Sequence, residues 1–276
     1  MAPLEETRPT GHGRARGLVS SRVSGRRVDA RSFAPPPSLA PLVASFWVGR
    51  WDLPPDAPHT TRLLGDPCVH VIVSTGDGDA PPQRLVGVWT RLWENTLRGR
   101  GVVRGVKLRA GAAGALVADA SRLRDRVTAL DALCVDPPAI DAIGWEPADD
   151  EAAFDAMTSW LEHHLSPSAA THRAVDACAR IARDPELLRV ADLVAALGTT
   201  ERALQRLFRT QVGASPKWVI RRQRLQEAAV RMERGDAPSL TDLAHDLGYA
   251  DQAHFARDWK AATDVPASRF AREVHQ

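Results

Sequence analysis

The sequence predicts an α+β chain in two parts: a mostly β N-terminal half, and an all-α half of two helix-turn-helix units joined by a linker helix. Three observations carry this prediction. Short apolar runs broken by Gly, Pro and Asp fill the stretch from Leu39 to about Leu133, the texture of strands of roughly 4–8 residues between turns. Helical spacing of apolar residues takes over from Glu151. From Ala191 to Ala267 one short pattern occurs twice, so that Asp192, Leu193, Leu197 and Gly198 recur as Asp242, Leu243, Leu247 and Gly248.

The elements follow in chain order. Residues 1–34 hold seven arginines with scattered Gly and Ser, a composition that predicts a disordered basic arm ending at Pro35-Pro36-Pro37. Residues 35–147 form the expected β domain, with strands at LVASFWVGRW, TTRLLG, CVHVIVS, RLVGVWT and VVRGVKLRAG, and a barrel-like closure is expected. GAAGALVADASRLRDRV near its end reads as a small-residue loop followed by a short helix. Trp47, Trp51, Trp89 and Trp93 are candidate pocket walls, although a tryptophan-rich core accounts for them better. Residues 148–184 read as a helical connector. Phe154, Met157, Trp160, Leu161 and His164 share one face of its first helix, and Val175, Ala179 and Ile181 or Ala182 lie inward on its second. Asp184-Pro185 is the expected hinge into the all-α domain over 185–276, because proline discourages helix before it.

Within each repeat a helix ends at glycine and a second helix begins. Gly198 suits the left-handed residue that closes a helix, and Thr200 can cap the next one. Leu204, Leu207 and Phe208 then form an apolar back, while Arg202, Gln205, Arg206 and Arg209 form the front. In the second copy Asp251 is the cap, Phe255 and Trp259 face inward, and Gln252, His254, Arg257 and Lys260 face outward. Arginine can bond guanine bidentately and glutamine can bond adenine, so such fronts suit a major groove; phosphate clamping is the competing role for Arg206 and Arg257. Pro216 to Arg234 reads as one linker helix opened by proline. Recognition helices held about 34 Å apart would enter successive major grooves on one face of double-stranded DNA.

The segments GTTERALQRLFRTQVGASP, RRQRLQEA and LGYADQAHFARDWK resemble the C-terminal DNA-binding domain of AraC/XylS-type transcriptional regulators. The resemblance implies that Arg202, Gln205 and Arg206 of the first unit, with Gln252, His254 and Arg257 of the second, read DNA. One departure closes the second unit, where Asp264 stands at the family's glycine and Pro266 comes one place early. The N-terminal half has a fainter resemblance to cupin-like sensor domains, which assigns no ligand residues. The implied protein is a regulator answering to a small-molecule effector or a partner, with a homodimer and, for an activator, RNA polymerase as further expected partners. Two alternatives stay open: an N-terminal half that only oligomerises, and a DNA-repair methyl acceptor with Cys68 as its reactive thiol.

Composition bounds the rest. The chain has 276 residues and a net charge of +2, too long for one module and without a global bias toward polyanions. No apolar run approaches the ~20 residues of a membrane span, and the start lacks a signal-peptide core. The expected location is the cytoplasm. Cys68, Cys134 and Cys178 are odd in number and widely spaced, which opposes a disulfide framework. Cys68 with His70, and His163-His164 with His172, lack zinc-site spacing; no catalytic residue, metal or cofactor is expected.

Overall fold

The computed structural model describes residues 18–20, 28–76, 80–133, 136, 146, 149–236 and 239–274. Among the described residues nine strands come first: β1 Leu18–Ser20, β2 Val28–Phe33, β3 Val43–Asp52, β4 His59–Leu63, β5 His70–Thr75, β6 Gln83–Val86, β7 Trp93–Leu97, β8 Arg100–Leu108 and β9 Val127–Ala129. They form a six-stranded sheet in the order β2-β3-β8-β5-β6-β9 and a three-stranded sheet in the order β1-β4-β7. All pairings are antiparallel. The larger sheet is open, ending at β2 and β9, so the barrel-like closure does not occur among the described residues.

Cross-strand fit sets the register at the sheet's centre. Trp51 lies opposite Gly101 and Trp47 opposite Gly105 on neighbouring β3 and β8. A Cβ on Gly101 would come within 2.1 Å of the Trp51 ring, and one on Gly105 within 2.3 Å of the Trp47 ring. Each indole therefore lies over a strand position that only glycine can fill, and the Trp51 indole N–H donates to Arg98 O at 3.1 Å. Trp89 and Trp93 pack edge to face at 4.6 Å. These contacts make the tryptophans packing elements.

Two sequence expectations are corrected here. Residues 28–33, assigned to the basic arm, form β2, because Val28, Ala30 and Ser32 alternate against Trp51, Gly49 and Trp47 of β3; residues 1–17 and 21–27 of the arm lie outside the described residues. The small-residue loop and short helix expected in GAAGALVADASRLRDRV are replaced by two 3-10 turns, Ala112–Ala115 and Ala120–Leu123, followed by β9. Asp119 caps the second turn by accepting from Ser121 N, so the chain is bent back into the sheet before a longer helix can form.

The helices are α1 Asp149–His164, α2 Ala169–Arg183, α3 Val190–Leu197, α4 Glu201–Leu207, α5 Pro216–Arg234, α6 Leu240–Asp246, α7 Gln252–Thr263 and α8 Ala267–Glu273. Asp150 at the start of α1 accepts from two buried arginines of the sheet, Arg50 and Arg104, the latter at 2.7 Å. This places α1 on the sheet, where Phe154 meets Phe33 and Phe46 at centroid distances of 5.4 and 5.3 Å. Ser168 and Thr171 make a reciprocal capping box at the start of α2.

The buried side chains fall into two clusters whose boundary lies inside α5. The first joins the β domain, α1 and α2 to Leu193, Leu204, Phe208, Val212, Val219 and Ile220. The second holds Leu225, Met232, Leu243, Phe255, Trp259 and Phe270. One helix-turn-helix unit thus shares the core of the β domain, and the other has a core of its own. Truncating a buried Phe costs about 3–5 kcal/mol. Phe208→Ala is expected to raise hydrogen exchange in β3 and β8 as well as in α4, whereas Phe255→Ala raises it in α6 and α7 and leaves the sheet unchanged; mass-spectrometric exchange distinguishes them.

Candidate nucleic-acid interface

Both helix-turn-helix units are built as the residue pattern predicts. In the first, Gly198 adopts φ 59° and closes α3, and the Thr200 hydroxyl accepts from Ala203 N at 3.2 Å. In the second, Asp251 caps α7 by accepting from His254 N at 2.6 Å. Leu204 and Phe208, like Phe255 and Trp259, are buried, which turns Arg202, Gln205 and Arg206, and Gln252, His254, Arg257 and Lys260, to the exposed side. Local contacts hold several of them. Gln205 donates to Glu201 at 2.9 Å, Gln252 accepts from Thr241 at 2.8 Å, and His254 packs edge to face on Tyr249 at 5.2 Å. At the end of α7 Asp264 itself takes the left-handed conformation, φ 58°, so it makes the closing turn for which the family uses glycine.

Arg209 departs from the expected pattern. Helix α4 passes directly into a π-helical turn, Phe208–Val212, closed by Gly213 N–H donating to Phe208 O at 2.8 Å. The turn buries Gln211, whose side-chain oxygen accepts from Thr171 at 2.9 Å. It also brings Arg209 to Asp119 of the β domain at 2.7 Å. Beyond it, Gly213 has φ 87°, and a Cβ there would come within 2.7 Å of Ala120 O. Arg124 donates to Gly213 O at 2.6 Å. Widened turns of this kind are frequent at functional sites; here the turn fastens α4 to the β domain.

The linker helix α5 is the second fastening, and its arginines clamp both ways. Arg222 donates to Gly65 O of the β domain at 2.8 Å, and Trp218 packs beside Gly65. Arg224 donates to Leu188 O, Arg221 pairs with Asp258 of α7 at 2.9 Å, and Arg231 pairs with Asp246 of α6 at 2.7 Å. At about 1.5 Å per residue, the nineteen residues of α5 extend roughly 28 Å.

Beneath Gly65 lies a polar cluster of Asp66, Cys68, His70 and Lys107. Asp66 and Lys107 form an ion pair at 2.5 Å, with His70 at 3.7 Å. Burial raises the Asp66 carboxyl, but Lys107, His70 and Arg222 outweigh it and hold Asp66 well below its usual range. Burial also keeps His70 below its ordinary value. The Cys68 thiol is pushed far up, first by burial and then by Asp66. Burial pushes Cys178 up to about 12. A reactive thiol needs thiolate character, and neither cysteine has it; Cys134 lies outside the described residues. The described residues hold no group of three His, Cys, Asp or Glu side chains able to bind a metal. No helix among them is long and apolar enough to cross a membrane.

Sequence reasoning missed Asp119, Arg122, Arg124 and Arg126 as companions of the first recognition helix. The alternation R-L-R-D-R was visible, but only the fold shows that it faces Arg209, with Ser121 completing the rim of one groove.

Residues 193–273 match the family described as Helix-turn-helix domain, and residues 31–129 match a Domain of unknown function (DUF6597). A protein of Streptomyces lividans described as an AraC-like transcription regulator is 28% identical over 123 residues, covering 44% of this chain and 38% of that protein. The chain therefore spans well under half the length of this relative. Among solved structures, ToxT of Vibrio cholerae bound to an unsaturated fatty acid is 11% identical, with 82% of this chain and 94% of that chain covered and a TM-score of 0.38. ToxT bound to (E)-4-(8-methylnaphthalen-1-yl)but-3-enoic acid is likewise 11% identical, with 79% and 98% covered and a TM-score of 0.39.

The Asp66 cluster predicts a defined pH response. A carboxyl whose pKa is depressed by folding adds stability above its unfolded value of about 4. That stability is lost as pH falls below this value and through the lower folded pKa. Asp66→Asn should therefore be less stable than wild type at neutral pH and should flatten the fall in urea midpoint below about pH 4. Urea titrations at a series of pH values measure both effects; parallel curves for the two proteins would contradict the assignment.

Proposed function

We propose that this chain, whose residues 193–273 match a helix-turn-helix domain, is an AraC-type, sequence-specific DNA-binding transcription regulator. The observation that carries the reading is the pair of capped recognition helices, α4 and α7, each with a buried apolar back and an exposed front of Arg, Gln, His or Lys. A single linker helix holds both. Arg202, Gln205 and Arg206 serve the first half-site and Gln252, His254, Arg257 and Lys260 the second, on successive major grooves of double-stranded DNA.

In this reading residues 35–147 sense a small-molecule effector or partner, 148–184 connect, and 185–276 bind DNA. The shared core supports the coupling. A change in the β domain reaches α4 through Arg124, Asp119 and Gln211, and reaches α5 through Gly65. A homodimer in the cytoplasm, with RNA polymerase as the partner of an activator, completes the proposal.

The test is fluorescence anisotropy on a duplex from the region upstream of the protein's own gene, with random duplex as competitor. Wild type should bind the specific duplex in preference. Arg206→Ala and Arg257→Ala should each lose about 1–3 kcal/mol of specific binding and less on random DNA. Equal affinity of all three proteins for both duplexes would overturn the reading.

A further inference from the structure

We propose that the β domain itself contacts DNA, through a row of arginines that continues the first recognition helix onto its surface; the inference rests on the DNA-binding reading above. Arg122, inside the second 3-10 turn, and Arg124 and Arg126, between that turn and β9, are exposed at alternate positions, with Leu123 buried between the first two. Together with Ser121 and Arg209 they line one open groove. Across its floor Arg124 donates to Gly213 O at 2.6 Å, so the row is fixed directly against the end of the recognition helix.

Charge in the groove is strongly one-sided. Asp125 turns away: its carboxylate accepts from Thr90 N and the Thr90 hydroxyl, each at 2.7 Å. Asp119 takes Arg209 at 2.7 Å and the Ser121 hydroxyl at 2.6 Å. Four guanidiniums therefore face one carboxylate, an excess of three positive charges. Arg122 and Arg126 make no side-chain hydrogen bond among the described residues, so their donors point into solvent.

The position of the row selects the partner. A recognition helix in the major groove presents its N-terminal residues to base edges. Arg202, Arg206 and Arg209 run along α4 and into the π turn, and the row lies beyond Arg209. What meets it is the sugar–phosphate backbone flanking the half-site. Guanidinium forks match phosphate oxygens bidentately and carry no sequence information. The first half-site would thus be gripped by two domains at once, with Arg209 at their junction.

Removing one arginine–phosphate pair reduces the slope of log K against log salt by about 0.9. Full-length wild type, the double variant Arg122→Ala/Arg126→Ala and the charge control Arg31→Ala are compared on the upstream and random duplexes, from about 50 to 200 mM salt. We expect the double variant to keep the wild-type melting temperature, to weaken on both duplexes alike, and to show a salt slope shallower by about two units, with Arg31→Ala unchanged. An unchanged slope in the double variant, with specific wild-type binding intact, overturns the inference and leaves the DNA-binding reading standing. An equal fall per charge in Arg31→Ala reduces it to net charge and also overturns it. A double variant that binds DNA normally but loses thermal stabilisation by inorganic phosphate overturns it in favour of a small-anion site. Wild type with no preference for the upstream duplex removes the underlying reading, and the inference with it.

Discussion

The structure depends on one packing constraint: the first helix-turn-helix unit has no core separate from the β domain. Phe208, Val212 and Ile220 are buried in the same cluster as Val71, Val106 and Leu108 of the sheet, and Gly213 passes so near Ala120 O that no side chain fits. Close-packed interiors transmit strain because they have little free volume. A shift of the 3-10 turns carrying Gly114 and Ala120 is therefore felt at the π turn that ends α4, whereas α7 meets the β domain beside Leu92 and is tied to it through α5.

Polar fastenings add direction to this apolar contact. Gln211, buried by the π turn, is met by the Thr171 hydroxyl, and burying an amide without such a partner would cost roughly 1–3 kcal/mol. The same turn fixes Arg209 beside Asp119. A regular α-helical continuation would rotate both residues away from these partners. The irregular turn is thus what registers α4 on a second domain.

Much of this is legible in the residues. The five apolar runs correspond to β3, β4, β5, β6 and β8, and α5 begins at Pro216 and ends at Arg234 as its pattern requires. Both caps and the exposed fronts follow from spacing alone. What stays hidden has physical reasons. Trp93–Leu97 and Val28–Phe33 become strands because neighbours complete their pairing, and their own composition is too polar to announce it. Helical periodicity makes Arg209 one more outward arginine, since it cannot foresee a π turn. The boundary between cores is invisible for a similar reason: Ile220 and Leu225 lie on one continuous helix and differ only in what packs against them.

That division shapes how the two units can differ in use. The second unit is clamped to α5 by Arg221–Asp258 and Arg231–Asp246, pairs that keep it in a fixed relation to the linker. The first unit is clamped to the β domain, and α5 is joined there as well through Arg222 and Trp218 at Gly65. The exposed fronts of α4 and α7 are therefore referred to one frame, the six-stranded sheet. Changing their separation requires breaking contacts at Gly65 or Gly213, because the linker helix itself offers no hinge between Pro216 and Arg234. A signal entering the β domain leaves toward α5 at Gly65, and toward α4 through the π turn, where Arg209 meets Asp119, Gln211 packs at Gly114 and Gly213 passes Ala120.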